Sequence, residues 1–448
     1  MSEFIVPIMM IAALIFGIFS GYPVAFVLAG VGILFGLLSD IPFVYLNTVV
    51  SKMFSATLTN WLLMAVPLFV FMGLMLERSD IAKNLLLALE RLFAGMRGGL
   101  AVAVTLVGIV MAASTGIVGA SVVMLGLMAT PVMMKSRYSP ALAAGTVCSA
   151  GTLGILIPPS IMLVLLGDIL QISVGDLFLA AALPGVMLGG LYLLYILVVS
   201  NVLKDVAPAY DADVEGDTDS NVWMDLIKNL VAPVLLIVGV LGSILAGIAT
   251  PTEAAAIGAA GAMLLALALG KLTWEVLRDC VKETALTTAM IIAIALTAAV
   301  FTAVFTGVGG HDMIELGLNA VTTSPYATLG IIMLVIFVLG FFLEWIEISY
   351  VVLPILAPIV SGLDFGFDSS GTTVLWFAVL IAVNMQTSFL TPPFGYSLFY
   401  LRGIAPPEMT IGEIYKGIVP FVVLQLLGLG LCVLFPQIIL YLPEALGR

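Results

Sequence analysis

Charged residues are scarce in this sequence. Of its 448 residues only 9% are charged, 62% are hydrophobic, and the mean hydropathy is +1.24. A soluble domain carries about 25% charged residues, so this chain could not cover a water-facing surface of its own size. The composition therefore excludes an ordinary soluble protein and predicts that lipid is the main solvent.

Histidines and paired cysteines are missing as well. The single histidine, His311, excludes an HExxH metal site, a bis-histidine haem and a histidine-based catalytic triad. The three cysteines, Cys148, Cys280 and Cys432, have no paired spacing, which indicates neither disulfides nor zinc. We therefore expect no enzyme activity, no organic cofactor and no nucleic-acid partner.

Negative charge is concentrated in one hydrophilic stretch, residues 200–229. Part of it, Asp211–Gly216, is faintly similar to a calcium loop, but the twelfth position is Val222 instead of Glu. We interpret the stretch as an acidic, solvated linker at 201–230. It separates a first unit, 1–200, from a second unit, 231–448.

Ten stretches are apolar and long enough to cross a bilayer, whose core of about 30 Å needs roughly 20 apolar residues per helix. The first is counted as a retained span, because Met1-Ser2-Glu3 lacks the basic start and the cleavage site of a secretory signal. The predicted spans are 4–20, 22–39, 61–76, 139–170, 177–199, 231–249, 251–270, 284–305, 372–403 and 418–440.

Two further apolar stretches, 98–134 and 326–361, are too long for one span and are interrupted near their middle. Each fits a re-entrant hairpin that enters and leaves the membrane on the same side. With both hairpins in place, all 15 lysines and arginines except Lys52 and Arg448 fall on one face. Such an excess marks the cytoplasmic side. The linker is therefore predicted to be cytoplasmic and both termini periplasmic, in a bacterial inner membrane.

The ten spans divide into two sets of five, so the two halves must have opposite orientations. Pro251, in Ala249-Thr-Pro251, follows Pro23, in Gly21-Tyr-Pro23, by 228 residues, and Pro392-Pro393 repeats Pro158-Pro159 after 234 residues. Inverted repeats with interrupted helices build the central site of many secondary transporters. The predicted fold class is an all-α polytopic membrane protein with two inverted repeats of about five spans, each containing a re-entrant hairpin and a broken helix.

The hairpin tips and the broken helices are predicted to meet near the middle of the membrane. Each double proline should unwind its helix and free carbonyl oxygens around Leu156 and Leu390. These carbonyls, with nearby hydroxyls, offer the oxygen ligands that hard cations such as sodium require. The N-termini of the half-helices offer partial positive charge to an anion. The candidate hydroxyls are Ser114, Thr152, Thr387 and Thr391. The candidate substrate-binding residues are Ser114, Thr115, Gly116, Gly119, Ser121, Pro158, Pro159, Ser160, Asn384, Pro392 and Pro393.

Two alternatives stay open at this point. Each double proline could be a simple kink whose freed carbonyls are satisfied by Ser and Thr. Glu344 and Glu347, which cost about 2.5–3.5 kcal/mol each near the bilayer centre, could be cation ligands or proton-coupled carboxylates. They could instead lie at a wet tip or pair with backbone N–H groups.

The sequence resembles the large membrane subunit (DctM type) of TRAP transporters, the tripartite ATP-independent periplasmic systems, over essentially its whole length. Five motifs occur in the expected order. They are Gly21-Tyr-Pro-Val-Ala-Phe26, the Ser/Thr/Gly-rich residues 113–121, Gly151-Thr-Leu-Gly-Ile-Leu-Ile-Pro-Pro-Ser160, Thr250-Pro-Thr-Glu-Ala-Ala-Ala256 and Ser388-Phe-Leu-Thr-Pro-Pro-Phe-Gly395.

The resemblance implies a sodium-coupled, binding-protein-dependent importer of a small organic carboxylate with an elevator mechanism, in which hairpins and broken helices slide against a scaffold. It also implies a small four-helix membrane subunit and a periplasmic substrate-binding protein as partners, besides membrane lipid. The sodium ligands that it implies are Ser114, Thr115, Gly151 and Thr152 in one site, and Glu344, Glu347, Gln386, Thr387 and Thr391 in a second. The alternative is an ion-coupled carrier or antiporter that works without a binding protein.

Overall fold

The computed structural model describes residues 4–39, 41–42, 47, 49–51, 53–115, 118–209 and 222–447, with side chains except at 56, 112–115 and 222–229. Every regular element in these residues is a helix. This suits a lipid solvent, because a helix satisfies its backbone polar groups within one segment. The α-helices are Ile5–Phe19, Val24–Leu38, Ala65–Arg78, Ile81–Leu92, Gly99–Thr115, Val118–Lys135, Pro140–Thr152, Ile161–Leu170, Val174–Val202, Val222–Leu245, Pro251–Ala268, Trp274–Gly307, Gly310–Val321, Pro325–Leu339, Trp345–Val351, Leu353–Ser361, Ser370–Leu390, Tyr396–Ile404, Ile411–Leu434 and Gln437–Ala445.

Several of these helices present apolar side chains outward, as lipid contact requires. Phe16, Phe26 and Leu434 expose 80%, 71% and 73% of their surface. Among the described residues, six helices are long and apolar enough to cross a membrane alone, and one bent pair could add a seventh. Five of the six match predicted spans, whereas Val118–Lys135 belongs to the first predicted hairpin. Other predicted spans appear as shorter apolar helices, such as Ile5–Phe19 and Val24–Leu38 with 15 residues each. The all-α, multi-pass class is confirmed.

The first hairpin consists of Gly99–Thr115 and Val118–Lys135. The residues near its two ends bind the same dipeptide, Val206-Ala207. The N–H of Gly98 donates to the carbonyl of Ala207 at 3.3 Å, and the N–H of Ser139 donates to the carbonyl of Val206 at 2.8 Å. The stretch therefore returns to the place where it began.

The second hairpin enters through Pro325–Leu339 and returns through Trp345–Val351 and Leu353–Ser361. Its two ends also meet, since the ring of Tyr326 lies edge-on to the ring of Phe365 with centroids 5.3 Å apart.

Each double proline interrupts a helix. The first broken helix runs as Pro140–Thr152 and a 3-10 turn, and resumes after the prolines as Ile161–Leu170. The second ends at Leu390 and resumes as Tyr396–Ile404. Neither helix runs through, because proline has no N–H to donate and its ring clashes with the carbonyl one turn back.

The linker boundary differs from the sequence prediction. Helix Val222–Leu245 begins eight residues before the predicted end of the linker at 230. The sequence at its start, Val222-Trp-Met-Asp-Leu-Ile227, is largely apolar, but the acidic residues just before it obscured this. Residues 210–221, with the calcium-like segment, lie outside the described residues.

Candidate functional site

A cavity of about 240 Å³ lies where four helices begin. Its lining includes the first residue of each helix, namely Val118, Ile161, Trp345 and Tyr396. Two of these helices return from the hairpin tips, and the other two follow the double prolines. A helix N-terminus carries partial positive charge on its unpaired N–H groups. Helix starts of this kind favour a ligand of negative charge wherever no carboxylate of the chain already caps them.

Two of these N-termini have no side-chain cap. Ser160 precedes Ile161, but its hydroxyl donates to the carbonyl of Ile155 at 2.6 Å and makes no capping bond. Gly395 precedes Tyr396 and has no side chain to offer. Both helix starts are therefore of the kind at which an external anion can accept backbone N–H bonds.

The N-terminus at Trp345 is capped by carboxylates. The N–H of Glu344 donates to Oε2 of Glu347 at 2.7 Å, and the side chain of Glu344 accepts from the N–H of Glu347. Of the alternatives left open for these residues, pairing with backbone N–H groups is therefore present in the structure. It does not exclude a cation, because a carboxylate offers about four lone-pair positions.

The two broken helices touch through Thr152 and Gln386. Nε2 of Gln386 lies 3.4 Å from Oγ1 of Thr152 and 3.5 Å from the hydroxyl of Tyr192. Thr152 and Gln386 each stand six residues before their own double proline. Two residues that stand at the same distance from the two double prolines thus face each other. Both side chains are fully buried, and Oε1 of Gln386 has no hydrogen-bond partner.

The three predicted threonine ligands whose side chains the structure describes donate to carbonyls of their own helix. Oγ1 of Thr152 donates to Ser149 at 2.9 Å, that of Thr387 to Val383 at 2.9 Å, and that of Thr391 to Thr387 at 2.8 Å. A hydroxyl that donates still keeps its lone pairs as acceptors. These oxygens therefore remain available to a cation.

The serines near the breaks satisfy carbonyls, as the kink interpretation predicts. Besides Ser160, the hydroxyl of Ser397 donates to the carbonyl of Phe389 at 2.6 Å. Sequence reasoning missed Ser397, because it follows the second double proline by several residues and bonds back across the break.

The first tip is only partly described. The side chains of Ser114 and Thr115, and all of Gly116, lie outside the described residues. Gly119 lines the cavity, and a Cβ there would lie 2.7 Å from the ring of Tyr400, so only glycine allows this approach.

Two glycines allow close packing near the tips. A Cβ at Gly151 would lie 2.6 Å from Cγ2 of Val122, which places this glycine against the first hairpin. A Cβ at Gly340 would lie 2.5 Å from the side chain of Ser388, which joins the second tip to the second broken helix.

Most predicted substrate-binding residues do not line this cavity. Ser121 and Ser160 are buried, and Asn384 donates to the carbonyl of Met333 at 2.8 Å, which ties the second broken helix to the second hairpin. Pro158, Pro159, Pro392 and Pro393 interrupt the two broken helices. Of the predicted substrate set, Gly119 lines the cavity, as does Glu344 of the sodium set.

The opposite wall of the cavity was missed by sequence reasoning. Thr287, Met290 and Ile291 of helix Trp274–Gly307 complete it, with Tyr400 from the second broken helix. One hydroxyl and one sulfur on a long apolar span give no local signal, so only tertiary packing identifies these residues.

Comparisons with known proteins agree with the motifs. The family model described as "Tripartite ATP-independent periplasmic transporter, DctM component" matches residues 8–438. The C4-dicarboxylate TRAP transporter large permease protein DctM of Pseudomonas aeruginosa is 31% identical over 407 residues, 87% of this chain and 88% of that protein. Its namesake in Vibrio cholerae is 30% identical over 429 residues, 90% of each.

A solved structure shares the fold. The crystal structure of the Alcanivorax borkumensis YdaH transporter gives a TM-score of 0.63 at 16% identity, and the match covers 91% of this chain and 95% of that chain. The family model and the two relatives confirm, at the level of the family, the resemblance seen in the motifs. This chain belongs to the DctM family, the large permease component of the TRAP transporters.

Proposed function

We propose that this chain is the permease subunit of a sodium-coupled importer of a small organic carboxylate, and that the central cavity receives the carboxylate. The observation that carries the proposal is the meeting of four helix N-termini at one cavity. Such a site attracts an anion without a fixed cationic side chain. An anion held in this way can also leave again, which a transporter requires.

Sodium coupling is supported by the oxygens near the breaks. Oε1 of Gln386 is buried without a partner, a condition that costs about 1–3 kcal/mol, and it lies on the residue that contacts Thr152. A sodium ion bound there, in the proposed site with Glu344, Glu347, Thr387 and Thr391, would relieve that cost and offset the two carboxylates. A second ion is proposed at the first tip, with Ser114, Thr115, Gly151 and Thr152. Among the described residues no group of three or more His, Cys, Asp or Glu could hold a metal ion, so neutral oxygens must supply most ligands.

An elevator mechanism is supported by a weakly packed boundary between the proposed transport domain and scaffold. A polar cavity of about 710 Å³ lies between the end of the first broken helix, the second hairpin and helix Trp274–Gly307. Nδ2 of Asn60 bridges this boundary to Oδ1 of Asp168 at 2.7 Å. A boundary that contains a cavity of this size opposes sliding less than a close-packed one.

The proposed partners are a periplasmic substrate-binding protein and a small four-helix membrane subunit, in keeping with a tripartite periplasmic system. The proposed location is the inner membrane, with both termini in the periplasm. Arg78 pairs with Glu283 at 2.7 Å, and Lys271 pairs with Asp80 at 2.6 Å. These ion pairs join residues 78–80 to residues 271–283, two segments that the distribution of positive charge assigns to the cytoplasm.

Uptake into proteoliposomes tests the proposal. Both membrane subunits are reconstituted, the binding protein is added outside, and a sodium gradient is imposed. We expect saturable accumulation of an organic acid that stops when either the gradient or the binding protein is removed. Accumulation by this chain alone would favour a self-sufficient carrier, flux without accumulation would favour a channel, and gradient-independent accumulation would refute sodium coupling.

A further inference from the structure

The central cavity is walled mainly by apolar and aromatic side chains. Four of its lining residues, Trp345, Phe389, Tyr396 and Tyr400, are aromatic, and aliphatic or Met side chains form most of the remainder. None of the described lining residues is Lys or Arg. The first-tip residues 112–117, whose side chains are not described, read Ala-Ala-Ser-Thr-Gly-Ile and carry no charge either.

The polar groups of this wall are few, and two of them are already engaged. The hydroxyl of Tyr396 donates to the carbonyl of Phe342 at 2.8 Å. Glu344 accepts from the N–H of Glu347 in the cap of its helix. The neutral polar side-chain groups that remain in the lining are the hydroxyls of Thr287 and Tyr400 and the indole N–H of Trp345.

We infer that the cargo is an organic acid with one carboxylate and an apolar, preferably aromatic, body. The inference rests on the proposed function and narrows its substrate class. The single carboxylate accepts N–H bonds at the helix starts of Val118 and Ile161, which, unlike the start at Trp345, have no acidic residue in their first turn. The body lies among the rings of Trp345, Phe389 and Tyr400, where aromatic pairs add to the gain from apolar burial.

A second carboxylate has no counter-charge in this cavity. It would lie among aromatic rings or beside Glu344, and an unpaired charge out of water is strongly disfavoured. A sodium ion at the second tip already faces two carboxylates, Glu344 and Glu347, and so leaves no surplus positive charge. In this respect the chain is expected to differ from relatives named for C4-dicarboxylates.

Three probe acids test the inference one feature at a time. Butanoate and succinate have the same carbon chain and differ by one carboxylate, whereas 3-phenylpropanoate adds a ring to a monocarboxylate. Binding is measured calorimetrically in sodium buffer on the complex of both membrane subunits, without the binding protein, so that selection by the soluble partner does not enter. We expect butanoate to bind roughly tenfold or more tightly than succinate, and 3-phenylpropanoate more tightly still.

Succinate that binds as tightly as butanoate would overturn the single-carboxylate assignment. A ring that gives no gain over butanoate would overturn the aromatic assignment. If none of the three acids binds and no organic acid is accumulated in the uptake assay, the proposed function itself fails. Accumulation of an organic acid combined with tighter binding of succinate would refute this inference alone.

A substitution in the cavity wall formed by helix Trp274–Gly307 gives an independent test. Thr287→Lys adds an ammonium group to the cavity, and Thr287→Gln adds similar length without charge. The lysine should shift the succinate-to-butanoate ratio about tenfold towards succinate, whereas the glutamine should leave it unchanged. An equal ratio in both variants would count against the inference. Because the wild-type series needs no variant, a failure of Thr287→Lys to fold leaves the main test intact.

Discussion

The two hairpins differ in how the N-terminus of the returning helix is occupied. At the second tip Glu344 and Glu347 cap the helix with two carboxylates. At the first tip the helix from Val118 has no acidic residue in its first turn, and residues 113–121 carry no charge in the sequence. Both helices begin at the same cavity. The difference teaches that two helix starts at one cavity can present opposite charge, and on this basis we expect the start at Val118 to favour an anion and the start at Trp345 to favour cations.

A carboxylate placed at the first tip should remove this difference and have the largest effect. Val118→Asp would put a negative group on the helix start that is proposed to hold the cargo. We expect uptake to fall roughly a hundredfold, because hydrogen bonds to charged groups contribute about 1.5–3 kcal/mol. Initial uptake rates in proteoliposomes are the measurement. The control is Val118→Asn, because asparagine has the shape of aspartate but is neutral. Equal losses in both variants would indicate a packing effect and refute the placement of the anion.

Neutralising the second tip should reduce sodium affinity. Glu347→Gln retains an oxygen that can accept the N–H of Glu344 but removes the charge. We expect the sodium concentration for half-maximal uptake to rise by roughly 10- to 100-fold, with a smaller change in the maximal rate at saturating sodium. Unchanged sodium dependence would mean that the carboxylate only caps the helix.

The contact between the two broken helices, at Thr152 and Gln386, should contribute less to sodium affinity than the second tip does. Thr152→Val preserves the shape of the side chain but removes an oxygen from the proposed sodium site. We expect sodium affinity to fall about tenfold, measured as the sodium dependence of uptake. Thr105→Val is the matched control, because Thr105 is also buried and its hydroxyl likewise donates to a carbonyl of its own helix, at 2.9 Å. A similar loss in the control would contradict a specific role for Thr152.

The serines at the breaks should have the smallest effect on transport. Ser160→Ala and Ser397→Ala each leave a carbonyl without its hydroxyl donor and should lower stability by about 1 kcal/mol. Thermal unfolding of the purified protein measures this loss. Sodium affinity should stay unchanged in both variants. If it falls for Ser397→Ala, that serine belongs to the sodium site instead of the structural framework.

Sequence reasoning identified features that depend on local chemistry. The breaks at Pro158-Pro159 and Pro392-Pro393 follow from the missing proline N–H, which acts on its own helix whatever surrounds it. The spacing of Glu344 and Glu347 is that of a capping box, so the cap could also have been predicted. The sequence alone did not distinguish this cap from the other interpretations of Glu344 and Glu347, because Glu is not a usual N-cap residue.

The remainder depends on contacts between distant segments. The sequence by itself determined that the protein is helical, lies in lipid and is interrupted at the double prolines, because composition and backbone chemistry act locally. Only the tertiary structure decided that Thr152 meets Gln386, that Tyr400 packs on Gly119, and that Thr287 closes the cavity. Apolar spans look alike in sequence, and the face that each one turns to the cavity or to lipid is set by packing against its neighbours.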